Sequence, residues 1–188
     1  MSKEAKERWS KMYKDGIIPK VKVDEIVKKY ADLAQGKQAL DIACGWGNNT
    51  RYLAKMDFKV EALDISSIVI NSLQNIENIE AKEVDLDGYT LKENSYDLIV
   101  MTYFLGREFL PQLHKALKPN GIVIIRHWVE DPENDKKFEG ATNLFAHKEL
   151  ISTFEESFKL LHNSTEKGIL YNKQKMICES IVVQKSNI

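Results

Sequence analysis

Cysteine is scarce in this chain: there are two, Cys44 and Cys178, among 188 residues. They show no metal-ligand spacing, so no metal site is expected. Neither sign of charge is in excess, with 27 Lys+Arg against 28 Asp+Glu. No whole-protein field therefore favours a nucleic acid or a membrane surface, and neither is expected as a partner. No apolar run is long enough to span a bilayer. The N-terminus, Met-Ser-Lys-Glu-Ala-Lys-Glu-Arg, lacks an apolar h-region, so no signal peptide is visible. A cytoplasmic location with reduced thiols is the default that follows. Internal repeats and low-complexity segments are also missing. What remains is long enough to bury a real core. We read residues 1–188 as a single domain, a monomer or weak homodimer.

The apolar spacing alternates between two periods. Trp9 and Tyr13 stand four apart, so they share a face if the N-terminal segment is helical. Pro19 marks a break. Residues 23–33 repeat apolar side chains at Val23, Ile26, Val27, Tyr30 and Leu33, a helical pattern that stops near Gly36. Strands are then predicted at 38–43, 59–63, 79–84, 96–102 and 122–125. Helices are predicted at 49–56, 66–76, 109–117 and 149–158, a turn at 118–121 and a polar loop at 130–140. Two late strands, near 160–164 and 176–184, join by a hairpin around Gly168. Repeated strand–helix alternation implies βαβ units and a mostly parallel sheet. The hairpin adds a C-terminal antiparallel strand at or near an edge. The fold class is thus α/β, a Rossmann-like, mostly parallel sheet of seven strands with helices on both faces.

The stretch Ala39-Leu-Asp-Ile-Ala-Cys-Gly-Trp-Gly-Asn-Asn-Thr50 is an apolar strand that runs into a glycine turn and a helix start. Such a turn aims bare backbone N–H groups and a helix N-terminus at a ligand. Asp64 ends the next strand, 19 residues beyond Gly45, where an acid can hold a ribose. A dinucleotide fingerprint wants a third glycine where Thr50 stands, which counts against NAD or FAD. Asp41, four residues before Gly45, suits the cationic amine of an amino-acid moiety and suits no pyrophosphate.

At this point the chain resembles the class I S-adenosylmethionine-dependent methyltransferases. The residues that carry the likeness are Asp41-Ile-Ala-Cys-Gly-Trp-Gly, Asp64, Asp85-Leu86, Tyr96-Asp-Leu-Ile-Val, and Leu113-His-Lys-Ala-Leu-Lys-Pro-Asn-Gly-Ile, in that order. The likeness spans roughly residues 38–185. It implies that Asp41, Ala43, Cys44, Gly45 and Gly47 line the methionine part of S-adenosyl-L-methionine, with Asn49 at the helix start. Asp64 takes the ribose hydroxyls beside Ile65 and Ser66. Asp85 and Leu86 flank the adenine, with Asp87 as the competing acid, and Met101 and Thr102 lie beside the sulfonium. Ala43 stands where the family usually has glycine, which is tolerable if φ is negative there. The small size and the Arg8-Trp9…Tyr13 segment look like the tellurite-resistance and thiopurine-type group. On that reading residues 1–20 cover the cofactor; the alternative is that Trp9 and Tyr13 only staple a helix to the body.

Methyl transfer from a sulfonium asks the protein mainly to position and desolvate the nucleophile. An amine or hydroxyl acceptor needs a proton acceptor as well. His127, Arg107 and Tyr103 are the candidate catalytic residues, with Glu108 and Arg126 nearby. Arg107 and Arg126 suit an anionic acceptor, unless Glu108 and Glu130 pair with them. Thr102-Tyr-Phe-Leu stands where the amino-methylating nucleic-acid enzymes carry an Asn-Pro-Pro-Tyr-type segment, and no extra domain is left to read a polymer. A small molecule is therefore the expected substrate. The competing functions are a non-catalytic S-adenosylmethionine-binding module and an NAD-dependent oxidoreductase. Cys44 and Cys178 read as core fillers, and His114 as a surface residue.

Overall fold

Continuous apolar runs such as Tyr96–Thr102 leave no polar face for water, so they form strands covered on both sides. The computed structural model describes residues 3–18, 22–135, 144–146, 148–154, 158–170 and 173–186. In chain order the elements are α1 (Lys3–Lys14), α2 (Glu25–Tyr30), β1 (Gln38–Ile42), α3 (Asn48–Lys55), β2 (Lys59–Asp64), α4 (Ser67–Leu73), β3 (Ile79–Glu83), β4 (Tyr96–Thr102), α5 (Leu110–Ala116), β5 (Leu117–Trp128), α6 (Glu149–Phe154), β6 (Phe158–Ile169) and β7 (Lys175–Lys185).

The seven strands form one sheet in the order β3-β2-β1-β4-β5-β7-β6. β3, β2, β1, β4 and β5 run parallel, and β7 lies antiparallel between β5 and β6. Strand order reverses between β1 and β4. The carboxyl ends of those two strands therefore diverge into a crevice, the usual ligand position on such sheets.

Alternation along the strands divides the core. Leu98 and Val100 join Val60, Ile122 and Ile124 against Val27 of α2 and Leu53 of α3. Ile99 and Met101 join Leu40, Val123 and Ile125 on the opposite face, against Leu113 of α5 and Leu150 of α6. A smaller cluster of Tyr13, Ala62, Val69 and Leu73 ties α1 and α4 to β2. Each of these fully buried aliphatic chains contributes about 1.5–3 kcal/mol. Among the described residues no helix is long and apolar enough to cross a membrane.

Several boundaries differ from the sequence reading. The helix predicted over 23–33 is α2 followed by a 3₁₀ turn, Ala31–Leu33. The turn at 118–121 is a bulge inside β5: pairing jumps from Tyr96↔Leu117 to Leu98↔Ile122, and Asn120 takes a left-handed φ of 60°. Of the helix predicted over 149–158, Glu149–Phe154 is helical and Phe158 already belongs to β6, while residues 155–157 lie outside the described residues. β6 is also far longer than 160–164. Gly168 sits within it rather than in the link, paired with Met176, and a Cβ there would lie 2.7 Å from the Trp128 ring. Pro19 lies outside the described residues, as do residues 136–140 of the polar loop.

Candidate functional site

The turn after β1 owes its shape to left-handed residues. Gly45 has φ 52° and Gly47 φ 70°. A Cβ on Gly47 would lie 2.5 Å from the Leu73 Cδ2, and one on Gly45 3.2 Å from the Tyr13 hydroxyl. Ala43 also takes a positive φ, 54°, so the negative φ that would make alanine easy there is not found. The L side chain is held at a cost of about 1–2 kcal/mol. The Cys44 amide donates to the Leu63 carbonyl at 2.9 Å, pinning the turn to the end of β2.

Two acids flank this turn. Asp64, 5 % exposed, accepts from the Gly45 amide at 3.0 Å and the Ser66 amide at 2.9 Å. Burial raises its pKa, and the backbone donors at Ser66, Gly45 and Ile65 pull it down. Asp41 is only 1 % exposed and accepts from the Thr50 hydroxyl at 2.5 Å. Burial pushes its carboxyl up from 3.8 to about 7; Thr50 opposes the rise, while the charges of Asp24 and Asp64 add to it. The position that a dinucleotide fingerprint gives to glycine thus carries a hydroxyl that serves Asp41. Asn49, one residue earlier, is buried and donates to both Thr102 Oγ1 and Asp24 Oδ2 at 3.2 Å, tying the start of α3 to the end of β4.

α1 lies over the turn. The Tyr13 ring meets Trp46 edge-on at 5.2 Å, Trp46 Nε1 donates to the Ile18 carbonyl at 2.9 Å, and Ser10 Oγ bonds Ser66 Oγ at 3.2 Å. Trp9 packs into the same cluster, and Lys6 pairs with Glu83 at the end of β3. Trp46 was not among the sequence candidates. Its signal was an aromatic between the two glycines of a tight turn, where a small or polar residue is usual.

The other candidates sit as follows. Asp85 is exposed, its Oδ1 accepting from the Asp87 amide at 3.0 Å, while Leu86 is buried in the α5-side core with Met101. Ile65 is buried beside Asp64. Cys44 is largely enclosed, and Cys178 is fully buried; burial raises both thiols, Cys178 to about 12, which fits inert fillers. His114 packs edge-on against Phe158.

The three candidate catalytic residues do not form one group. His127, 4 % exposed, is edge-on to Phe145, and its Nδ1 meets the Trp128 carbonyl at 2.8 Å. Burial lowers its pKa, and Arg107 adds to this. Arg107 grips Glu149 with two nitrogens and lies over the Phe145 ring. Tyr103 belongs instead with Arg126, which shares its face of β5 with Ile122 and Ile124, packed against α2 and α3. The partners expected for the arginines are also replaced: Arg107 takes Glu149 instead of Glu108, and Arg126 takes Asp24 and Glu166 instead of Glu130. These acids lie 40 or more positions from their arginines, except as the sheet folds them together. Among the described residues no group of three or more His, Cys, Asp or Glu is placed to hold a metal ion.

The turn, the two acids and the strand ends can be compared with known proteins. Residues 18–162 match the family model described as "Methyltransferase domain". The chain is 23% identical over 188 aligned residues to the tRNA N(3)-methylcytidine methyltransferase trm140 of Schizosaccharomyces pombe, covering 81% of this chain and 61% of that one. It is 33% identical over 89 residues to the probable S-adenosyl-L-methionine-dependent methyltransferase TehB of Haemophilus influenzae, covering 43% of this chain and 31% of that one. The crystal structure of TehB superposes with a TM-score of 0.75 at 22% identity, over 87% of this chain and 63% of that one. The Burkholderia thailandensis 1,6-didemethyltoxoflavin-N1-methyltransferase, solved with 1,6-didemethyltoxoflavin and S-adenosylhomocysteine, superposes with 0.74 at 16% identity, over 97% of this chain and 88% of that one. The chain spans less than two thirds of the length of both sequence relatives.

Proposed function

The chain belongs to the methyltransferase-domain family, and from that premise we propose that it transfers a methyl group from S-adenosyl-L-methionine to a small-molecule acceptor. One observation carries the reading: a left-handed glycine turn lies between two buried acids at the point where strand order reverses. The donor set fits that cofactor. The Gly45 and Ser66 amides each bond a different Asp64 oxygen, and the carboxylate's roughly four acceptor sites leave room for a ribose hydroxyl. Asp41 offers a carboxylate whose burial is relieved by a cationic amine. A pyrophosphate would meet repulsion from both acids.

On this reading the turn from Asp41 through Ala43, Cys44, Gly45 and Gly47, with Asn49, holds the methionine part. Asp64, Ile65 and Ser66 serve the ribose, and Asp85 and Leu86 lie by the adenine. Met101 and Thr102 end the strand nearest the sulfonium. When bound, the cofactor supplies a methyl group already activated by positive sulfur. The protein's share is to orient the acceptor and keep water out. Trp9 and Tyr13 support the second task, since α1 lies across the turn. The tRNA relative favours a polymer acceptor, but balanced charge gives no field for a polyanion.

Calorimetric titration of S-adenosylmethionine, S-adenosylhomocysteine and NAD tests the reading. Saturable binding of the first two and none of NAD is expected. Retention of NAD alone, or of none of the three, overturns it.

A further inference from the structure

At the carboxyl ends of β4 and β5 the polar side chains form one connected network beside Thr102. Arg126 Nε donates to the Tyr103 hydroxyl at 2.7 Å, Nη1 donates to Ser180 Oγ at 2.8 Å, and Nη2 pairs with Glu166. The Tyr103 hydroxyl donates to Asp24 Oδ1 at 3.2 Å, and Asp24 lies 3.5 Å from the Arg126 Nε. Asn49 joins Asp24 to Thr102. Tyr103 stays 40 % exposed, its ring tilted against Trp128 at 5.4 Å, and is held at φ 57°, a conformation a bulky residue rarely adopts.

Both arginines that an anionic acceptor would need are already engaged. Arg107 binds Glu149 through two nitrogens, and Arg126 directs its donors to Tyr103, Ser180 and Glu166. The charges of Asp24, Glu166 and Arg126 sum to one net negative charge. An oxyanion or carboxylate would have to displace a bound carboxylate to enter. An ammonium would meet a carboxylate, a phenol oxygen and an aromatic wall.

Resting on the methyltransferase reading above, we propose that the Asp24–Tyr103 pair is the seat of the methyl acceptor and that the acceptor's nucleophile is an amine nitrogen. A phenol has one proton and two lone pairs. The proton goes to Asp24 and one lone pair takes the Arg126 N–H, which leaves the second lone pair for a substrate N–H. The ammonium loses one proton to the Tyr103 oxygen as the Tyr103 proton moves to Asp24, and solvent then takes it. The freed nitrogen pair forms the N–C bond, the donor's S–C bond breaks with its electrons left on sulfur, and the product is a methylated ammonium. One proton is released in total.

Benzylamine and benzoate, equal in ring and opposite in charge, make the test. The full chain, saturated with S-adenosylhomocysteine, is titrated with each while tyrosine ring resonances are followed by NMR, the Tyr103 signals being assigned by their loss in Tyr103→Phe. Benzylamine is expected to saturate and to move the Tyr103 signals, and benzoate to do neither. Asp24→Asn should weaken benzylamine about tenfold or more by removing the carboxylate. Tyr103→Phe keeps the ring on Trp128 and loses only the oxygen; by calorimetry it too should weaken benzylamine while still binding S-adenosylhomocysteine, and it carries the test alone if Asp24→Asn does not fold. Benzoate binding as tightly as benzylamine, saturation by neither, or unaltered benzylamine affinity in the variants overturns the inference. If S-adenosylhomocysteine itself does not bind, the methyltransferase reading has failed and takes this proposal with it.

Discussion

Asp41→Asn should make the protein more stable at alkaline pH and worse at holding its donor. The Asp41 carboxyl is 1 % exposed and its pKa rises from 3.8 to about 7, chiefly through burial. The folded state therefore binds the proton more tightly than the unfolded chain does. Folding stability falls as pH rises from about 4 to about 7 and levels off above that. A rise of that size corresponds to about 4 kcal/mol by pH 8. Asparagine keeps the shape and stays neutral, but accepts the Thr50 hydroxyl less strongly, a loss of about 1–2 kcal/mol. The net gain at pH 8 is about 2 kcal/mol, or about 4–8 °C in Tm for a chain of this size. At pH 4 both forms are neutral, the gain is gone, and the weaker Thr50 bond leaves the variant about 1–2 kcal/mol less stable than the parent. Thermal unfolding of the two proteins from pH 4 to pH 8 measures this directly. A difference that does not change with pH, or a variant less stable at pH 8, refutes the account of Asp41 as a strained buried acid. On the same samples, S-adenosylmethionine should bind more weakly to the variant at pH 8, because the amine loses its counter-charge. Greater stability at the expense of binding is the usual exchange at a functional site.

Three further outcomes follow from the same geometry. In the unaltered protein, S-adenosylmethionine affinity should fall as pH drops below about 7, by up to tenfold per pH unit, because Asp41 must lose its proton to meet the amine; a flat calorimetric profile from pH 6 to 8 would remove Asp41 from the site. Asp64→Ala strips the Gly45 and Ser66 amides of their acceptor, so it should lower stability by about 2–4 kcal/mol and weaken donor binding by about 1–3 kcal/mol; an unchanged titration curve would place the ribose elsewhere. Gly47→Ala combines a left-handed φ of 70° with a Cβ 2.5 Å from Leu73, and should lower stability by about 2–4 kcal/mol; a Tm within about 2 °C of the parent protein would contradict the packing described at that turn.

The candidate site was legible where local chemistry is enough. Gly45 and Gly47 could be read because few residues but glycine take a left-handed φ without strain, and Asp64 because it ends an apolar strand. The acids that would quench the arginines were not legible. Glu149 reaches Arg107 from α6, and Glu166 reaches Arg126 across β7 from the edge strand β6. Their neighbours in sequence, Glu108 and Glu130, looked nearer only along the chain. Trp46 was passed over because nothing local shows that an Ile18 carbonyl and a Tyr13 ring wait for it. β6 was read short because its edge position exposes polar and charged residues that blur the period of two.

By itself the sequence determined the alternating architecture, the glycine turn and the acid at the end of β2, since each follows from periodicity, backbone sterics or the polarity of one residue against its neighbours. Only the tertiary structure decided that His127 and Arg126, adjacent in β5, face opposite sides of the sheet, that Thr50 serves Asp41, and that Asp24 meets Tyr103 79 positions away. The physical reason is range. Backbone preferences act over a few residues and survive in any context, whereas charge pairing and burial depend on which distant segments the sheet brings within a few ångströms.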